Sequence, residues 1–303
     1  MSTATLPTPT PAASQSDELI AEALKRVTTI GTLPEVTVRI IQTVEDPRSS
    51  AGQLNEIVAH DPALVARILR VVNSSFYGLP GQIGTVERAI VLLGLNGVRN
   101  LALASSLGHL FRGIKLCEPF TARDLWKHCI SVGVACRVLA QQIKLPVVDE
   151  AFLAGMIHDV GILVHLQLWP EKIRTVCETM KEQLKTGQPG ETFCQLEQRI
   201  IGVDHEHLGR ALCHQWHFPQ SCQRVAGYHH HPESLSRDDT LLVNLVHVAD
   251  TICCQKGIGF NLTALGQTIS ELQYQSIGLN HETVEQVLAD LPAQTDAAFG
   301  VLG

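Results

Sequence analysis

The segment Ala151–Val164 (AFLAGMIHDVGILV) is almost wholly apolar, yet it carries an adjacent histidine and aspartate, His158-Asp159, in its middle. A stretch this apolar belongs in a core. Burying an unpaired carboxylate there costs roughly several kcal/mol or forces it to take up a proton. The fold must therefore supply a metal ion, a hydrogen-bonded partner or a water-filled cleft. With His165, the same pair makes the longer stretch Ala151–Trp169 a core helix of a soluble protein rather than a bilayer helix.

The surrounding pattern is helical. From Asp17 onward apolar residues recur three and four apart, broken by Pro, Gly and Asx caps, and strand-like alternation is scarce. The predicted class is all-α, in two helical lobes. Helices are expected over 17–28, 34–45, 51–59, 61–74, 85–93, 95–112, 121–143, 149–168, 170–185, 191–201, 205–216, 219–230, 240–256, 262–272 and 281–290. Asp61-Pro62 reads as an N-cap followed by proline at the first helical position, and Thr85 opens another helix after a Gly-rich loop. Asn73-Ser74-Ser75 before Phe76-Tyr77-Gly78 reads as a helix terminus. Leu116–Pro119 interrupts the pattern and suggests a hinge. The expected organisation is a disordered tail over 1–16, a helical lobe over 17–118, a second lobe over 119–256 and a helical extension over 257–303. In that extension Leu262, Leu265, Ile269 and Leu272 share one predicted face. The stripe Ala89, Leu92, Leu93, Val98, Leu101 and Leu103 reads as core patterning.

Composition narrows the classes. The 303 residues carry a net charge of -7 without any Lys/Arg-dense run, which disfavours a dedicated nucleic-acid surface. The first residues lack both the basic start and the apolar core of a signal peptide. Nine cysteines occur without C-x-x-C spacing, as expected of reduced thiols in a cytoplasmic protein. Cys253-Cys254 would be redox-active only if exposed.

Seven ligand-type residues recur on successive predicted helices: His128, His158, Asp159, His205, His229, His230 and Asp250. Imidazoles and carboxylates suit divalent ions, iron or manganese ahead of zinc, whereas a thiolate site would show paired cysteines. An adjacent pair on one helix projects side chains about 100° apart, so both can flank an ion. We place His128, His158, Asp159 and Asp250 around a first metal, with Asp159 bridging to a second held by His205, His229 and His230. Two such ions would activate a water and clamp a phosphoryl group, making Asp159 the candidate catalytic residue. The competing picture is a metal-free polar core in which the same groups bond one another. His207, His214, His217, His231 and His247 are expected at the surface or behind the ligands, with His247 or Asp124 orienting ligands.

The order His128, His158-Asp159, Asp250 resembles the H…HD…D signature of the HD phosphohydrolase superfamily. His205 and His229-His230 look like the extended set of its HD-GYP branch. LPEVTVRIIQTVEDP, IVAHDPALVARILRVVNSSFYG and IGTVERAIVLLGLNGVRNLALA, with AFLAGMIHDVG, VDHEHLG and YHHHP, are similar to hallmark segments of HDOD domains, over roughly residues 30–256. The resemblance implies a bacterial cytoplasmic signal-transduction module that works through contacts with signalling proteins, with no membrane partner. Many HDOD members have lost HD ligands; this sequence keeps the core set. The alternative it implies is a metal-dependent phosphohydrolase acting on a nucleotide or small phosphoester. Two departures speak against a standard cyclic-di-GMP phosphodiesterase: Ile162 stands where HD-GYP enzymes carry a lysine, and no Gly-x-Gly-Tyr-Pro follows His230. No receiver, sensor or helix-turn-helix segment is read, so a stand-alone module is expected. The oligomeric state is left open.

Overall fold

In a computed structural model the chain is described over residues 11–27, 35–45, 48–74, 77–79, 81–111, 116–187, 190–236 and 240–303. Ser75 and Phe76 of the expected helix terminus lie outside these residues. The described residues form helices and connecting turns with no β-strand, so the chain is all-α.

Helices α2 (Glu35–Glu45), α3 (Ala51–Ala59), α4 (Pro62–Val72) and α5 (Val86–Leu107) pack on one another. Their starts follow from local chemistry. Ser50 and Gln53 form a reciprocal capping box, Asp61 caps Leu64 N–H ahead of Pro62, and Thr85 caps Arg88 N–H. Gly94 sits at φ 75°, which breaks α5 between the two helices expected over 85–93 and 95–112. Along its stripe Ala89, Val98, Leu101 and Leu103 are fully buried, while Leu92 is half-exposed.

The distal helices are α6 (Ala122–Gln142), α7 (Val148–Ile157), α8 (Val160–Leu168), α9 (Pro170–Thr186), α10 (Phe193–Ile200), α11 (His205–Gln215), α12 (Gln220–Tyr228) and α13 (Leu241–Gln255). The segments Val86–Phe111 and Val148–Leu168 are long and apolar enough to cross a bilayer, but 61% and 89% of their most apolar windows are buried inside the fold. They are core elements of this helical body.

Both chain ends lock onto the distal helices. Helix α1 (Pro11–Arg26) begins inside the expected tail and packs on α8 and α11. At the other end α14 (Glu271–Ser276), α15 (His281–Val287) and α16 (Leu291–Leu302) follow, with α16 seated on both α6 and α4. Trp126 of α6 donates its indole N–H to the Leu302 carbonyl at 3.2 Å and packs on Phe111.

Residues 261–270 form turns rather than the helix expected over 262–272, and Leu272 is 76% exposed instead of sharing a buried face with Leu262. The single helix expected over 149–168 is two, broken at His158-Asp159, where Asp159 leaves helical geometry with ψ 13°.

Candidate metal centre

The seven expected ligands come together in the middle of the distal helices. His128 lies in the second turn of α6, His158-Asp159 occupy the α7–α8 turn, His205 opens α11, His229-His230 follow α12, and Asp250 lies on α13. One close approach makes this possible. A Cβ on Gly161 would stand 1.9 Å from the His205 carbonyl oxygen and 2.7 Å from the Gly209 nitrogen, so only glycine lets α8 meet α11 at this depth.

The donors fall into two groups that share Asp159. In the first, His128 Nε2 is 3.3 Å from His158 Nε2 and 3.0 Å from Asp250 Oδ1, and His158 Nε2 is 3.6 Å from Asp250 Oδ1. Asp159 Oδ2 completes it, at 3.3 Å from His158 Nε2 and 3.7 Å from His128 Nε2. In the second, Asp159 Oδ1 is 3.3 Å from His205 Nε2 and 3.5 Å from His229 Nε2, with those nitrogens 3.4 Å apart. His230 joins this group, with all four ligand atoms within 4.8 Å of one another. An ion bound at about 2.0–2.1 Å by a tetrahedron of N and O donors separates them by about 3.3 Å. The histidine–histidine and histidine–carboxylate separations in the two groups, 3.0–3.7 Å, bracket that spacing, while His230 stands within the wider 4.8 Å limit.

The hydrogen bonds behind the donors fit a cation. His158 Nδ1 donates to Gly155 O at 2.7 Å, His229 Nδ1 to Val225 O at 3.0 Å, and His205 Nδ1 to Glu197 Oε2 at 2.6 Å. Each bond fixes a proton on Nδ1, so Nε2 is the atom turned inward, offering a lone pair to a cation whenever the ring is neutral. Both Asp159 oxygens, Asp250 Oδ2 and His230 Nε2 are buried and accept or donate no hydrogen bond. An orphaned buried carboxylate is costly unless a cation meets it. The site thus has the donor set and the unmet polar atoms that a divalent ion needs.

Charge within the cluster is strongly coupled. Burial alone would lower the His158 and His205 imidazolium groups. The Asp159 carboxylate at the first and Glu197 at the second outweigh it, raising each to about 10. Burial would raise the Asp159 and Asp250 carboxyls, but the imidazoles around them hold both well below the usual range. His230 is pushed down by burial and by the neighbouring His229.

Several supporting residues escaped the sequence reading. Glu197, fully buried, accepts the His205 backbone N–H at 3.0 Å and faces His165 Nδ1 at 3.0 Å. Its signal was an acid on the apolar stripe of Phe193 and Ile200. Glu206 accepts the His230 N–H at 2.8 Å and His231 Nδ1 at 2.7 Å. Cys254 donates its thiol to Asp250 Oδ1 at 3.5 Å, and Gln267 Nε2 lies 3.0 Å from His230 Nδ1.

Other expectations change. His247 donates Nδ1 to the His229 carbonyl at 2.7 Å and so steadies that turn rather than orienting Asp250. Asp124 belongs to the capping box of α6 with Thr121 and takes no part in the centre. Lys127 turns to Asp296 at 2.8 Å and Arg210 to the Tyr228 hydroxyl at 2.6 Å, so neither faces the donors. His207, His214, His217 and His231 are exposed. All nine cysteines are free and buried, and burial pushes the Cys253 thiol up to about 12, against a redox role.

A family model described as the HDOD domain matches residues 30–232. A solved HDOD domain protein of unknown function from Geobacter sulfurreducens superposes with a TM-score of 0.79 at 21% identity, covering 95% of this chain and 99% of that one. A solved protein from Shewanella amazonensis SB2B, provisionally described as a metal-dependent phosphohydrolase, gives 0.60 at 20% identity, covering 96% and 100%. These likenesses establish the shared fold. A curated relative from Treponema pallidum (strain Nichols), described as an uncharacterized protein, is 22% identical over 238 residues; the match takes in 78% of this chain but 44% of the relative's length.

Proposed function

The chain belongs to the HDOD domain family, and from that premise we propose that it is a cytoplasmic signal-transduction module organised around a two-metal HD-type centre. One observation carries this reading. The two oxygens of the single carboxylate Asp159 face separate sets of inward imidazole nitrogens, Oδ2 toward His128 and His158 and Oδ1 toward His205 and His229. The nearest nitrogens stand 3.3–3.7 Å from these oxygens, beyond the usual N–H···O length, so the imidazoles satisfy Asp159 only weakly by direct hydrogen bonds and a cation between them would satisfy it fully.

His128, His158, Asp159 and Asp250 would hold one ion, and Asp159, His205, His229 and His230 the other. Iron or manganese fits the donors best, with zinc also accommodated. Bound there, divalent ions would supply Lewis acidity toward a phosphoryl group. The protein does little else for catalysis at this point. Ile162, standing where HD-GYP enzymes have lysine, is fully buried, and the neighbouring cations Lys127 and Arg210 are engaged elsewhere. Four protein donors per ion and near-complete burial favour a signalling role, in which the state of the centre sets the shape offered to partner proteins. Val91, 74% exposed on α5, belongs to the surface available to them.

Elemental analysis of protein purified without added metal tests the reading. Two equivalents are expected, both lost in Asp159→Ala; less than about half an equivalent would establish the metal-free polar core instead. A phosphoester screen run on the same protein separates the roles. Turnover that disappears with Asp159→Ala would make the protein a metal-dependent phosphohydrolase, as the Shewanella relative is described.

A further inference from the structure

Leu116–Pro119, expected as a hinge, leads into α6 and touches α9. Lys181 of α9 donates to the Glu118 carbonyl, and the Phe120 N–H closes a turn on Cys117 O at 2.7 Å. Phe120 stands edge-on to Phe260, with ring centroids 5.3 Å apart. These contacts bring two cysteines together from separate parts of the chain: the Cys177 thiol, on α9, hydrogen-bonds the Cys117 sulfur. Two other cysteine pairs are near neighbours, Cys136 with Cys253 and Cys213 with Cys222, but burial pushes all four thiols up. Cys117 behaves differently. The bond from Cys177 and the Lys181 ammonium hold its thiol below the usual cysteine range, against burial and the Glu178 carboxylate. Cys177 is pushed well above that range by the same bond and by burial, so the pair keeps one proton on Cys177 beside a sulfur ready to ionise.

A cavity of about 810 Å³ opens beside the pair. Leu116 and Glu118, the chain neighbours of Cys117, line it together with Arg174, Glu178 and Lys181, which flank Cys177 at helical spacing on one face of α9. Both cysteines are 1% exposed and stand behind this lining, so a small uncharged oxidant is the reagent suited to reach them. A thiolate with a cation and a second thiol next to it is the arrangement in which such an oxidant yields a disulfide rather than an overoxidised sulfur.

We propose that Cys117 and Cys177 form a peroxide-sensitive modification site whose disulfide staples the segment leading into α6 onto α9. The Cys117 thiolate attacks one oxygen of hydrogen peroxide; the O–O bond breaks, a sulfenic acid forms, and the departing hydroxide takes up the proton that Cys117 gave up. The Cys177 sulfur then displaces the sulfenic hydroxyl, which leaves with the Cys177 proton as a second water while the S–S bond forms. Two thiols are oxidised and one peroxide is reduced to two waters. The site stands apart from the two-metal reading. Reduced full-length protein is treated with a small excess of hydrogen peroxide, quenched into denaturant with N-ethylmaleimide, and its thiols are counted before digestion and mass spectrometry. Two of the nine thiols should be lost, in one linked peptide pair holding Cys117 and Cys177, and dithiothreitol should restore all nine. In Cys177→Ser no bond can form, and dimedone in the quench should mark Cys117. Lys181→Met should slow the oxidation about threefold or more. Amide exchange over residues 116–121 should slow about tenfold in the oxidised protein. Nine thiols after peroxide, a disulfide between any other pair, or dimedone on a cysteine other than Cys117 in Cys177→Ser would overturn the site. A Cys117–Cys177 bond that leaves exchange unchanged would overturn the staple.

Discussion

Helices α2–α5 and helices α6–α13 bury different chemistry. In the first region the buried polar side chains among the described residues are uncharged: Thr37, Asn100, Ser105 and Ser106. The second buries Arg137, Asp159, Glu197, Asp204, Glu206 and Asp250 together with His128, His158, His165, His205, His229, His230 and His247. An apolar core holds by removing surface from water, whatever ions are present. A core of imidazoles and carboxylates holds only while each charge is met, so under the two-metal proposal the distal region would draw part of its stability from bound ions and the proximal region would not.

Removing the metal is the strongest way to test that contrast. Each ion at a thousandfold excess over its Kd adds about 4 kcal/mol, so chelation should lower the Tm by many degrees, with hydrogen exchange quickening in α6–α13 well before α2–α5. The reverse step has a proton signature. His158 and His205, raised to about 10, are charged at neutral pH in the metal-free protein, and a metal requires them neutral. Loading at pH 7 in weak buffer should therefore release protons, about two per molecule from this pair. Metal uptake without acidification would break the link between the raised imidazoles and the site.

Gly161→Ala comes next. Its methyl group would strike the His205 backbone, so a destabilisation of about 3 kcal/mol or more is expected in denaturant unfolding, together with loss of the ion held by His205. Full metal content in a stable Gly161→Ala protein would show that α8 and α11 need not meet at this depth. Smaller changes belong to the proximal region. Ile68→Val, in a fully buried position of α4, should cost about 1 kcal/mol and leave metal content untouched. Ser50→Ala, which removes one half of a capping box, should cost about 0.5–1 kcal/mol in thermal unfolding. A drop in bound metal with either variant would mean the two regions are not independent.

How far the sequence could be read follows the same division. Proximal helix starts were legible because Ser50, Asp61 and Thr85 advertise themselves locally, and Gly94 marked the break in α5. The candidate donors were legible because a histidine-aspartate pair in an apolar run demands an explanation. Their arrangement was less so. A continuous apolar period across 149–168 conceals the turn at His158-Asp159, since burial on every side erases the contrast between faces that would mark a break. Leu262, Leu265 and Ile269 have helical spacing, but tertiary anchoring at Gly259 and Gln267 overrides it. Glu197 and Gln267 act through folding contacts with residues 8 and 37 positions away, and no local pattern announces such partners.

The indole of Trp126 stands two residues before His128, bonded to the last turn of α16 and stacked on Phe111. Of the three tryptophans in the chain, Trp126 reports on the carboxyl-terminal helix, and Trp169, with its ring 6.0 Å from that of His165, whose Nδ1 faces Glu197, reports on the candidate centre. Emission spectra of unlabelled protein should register both occupancy of the centre and undocking of α16, so the two events can be timed against each other in one stopped-flow trace.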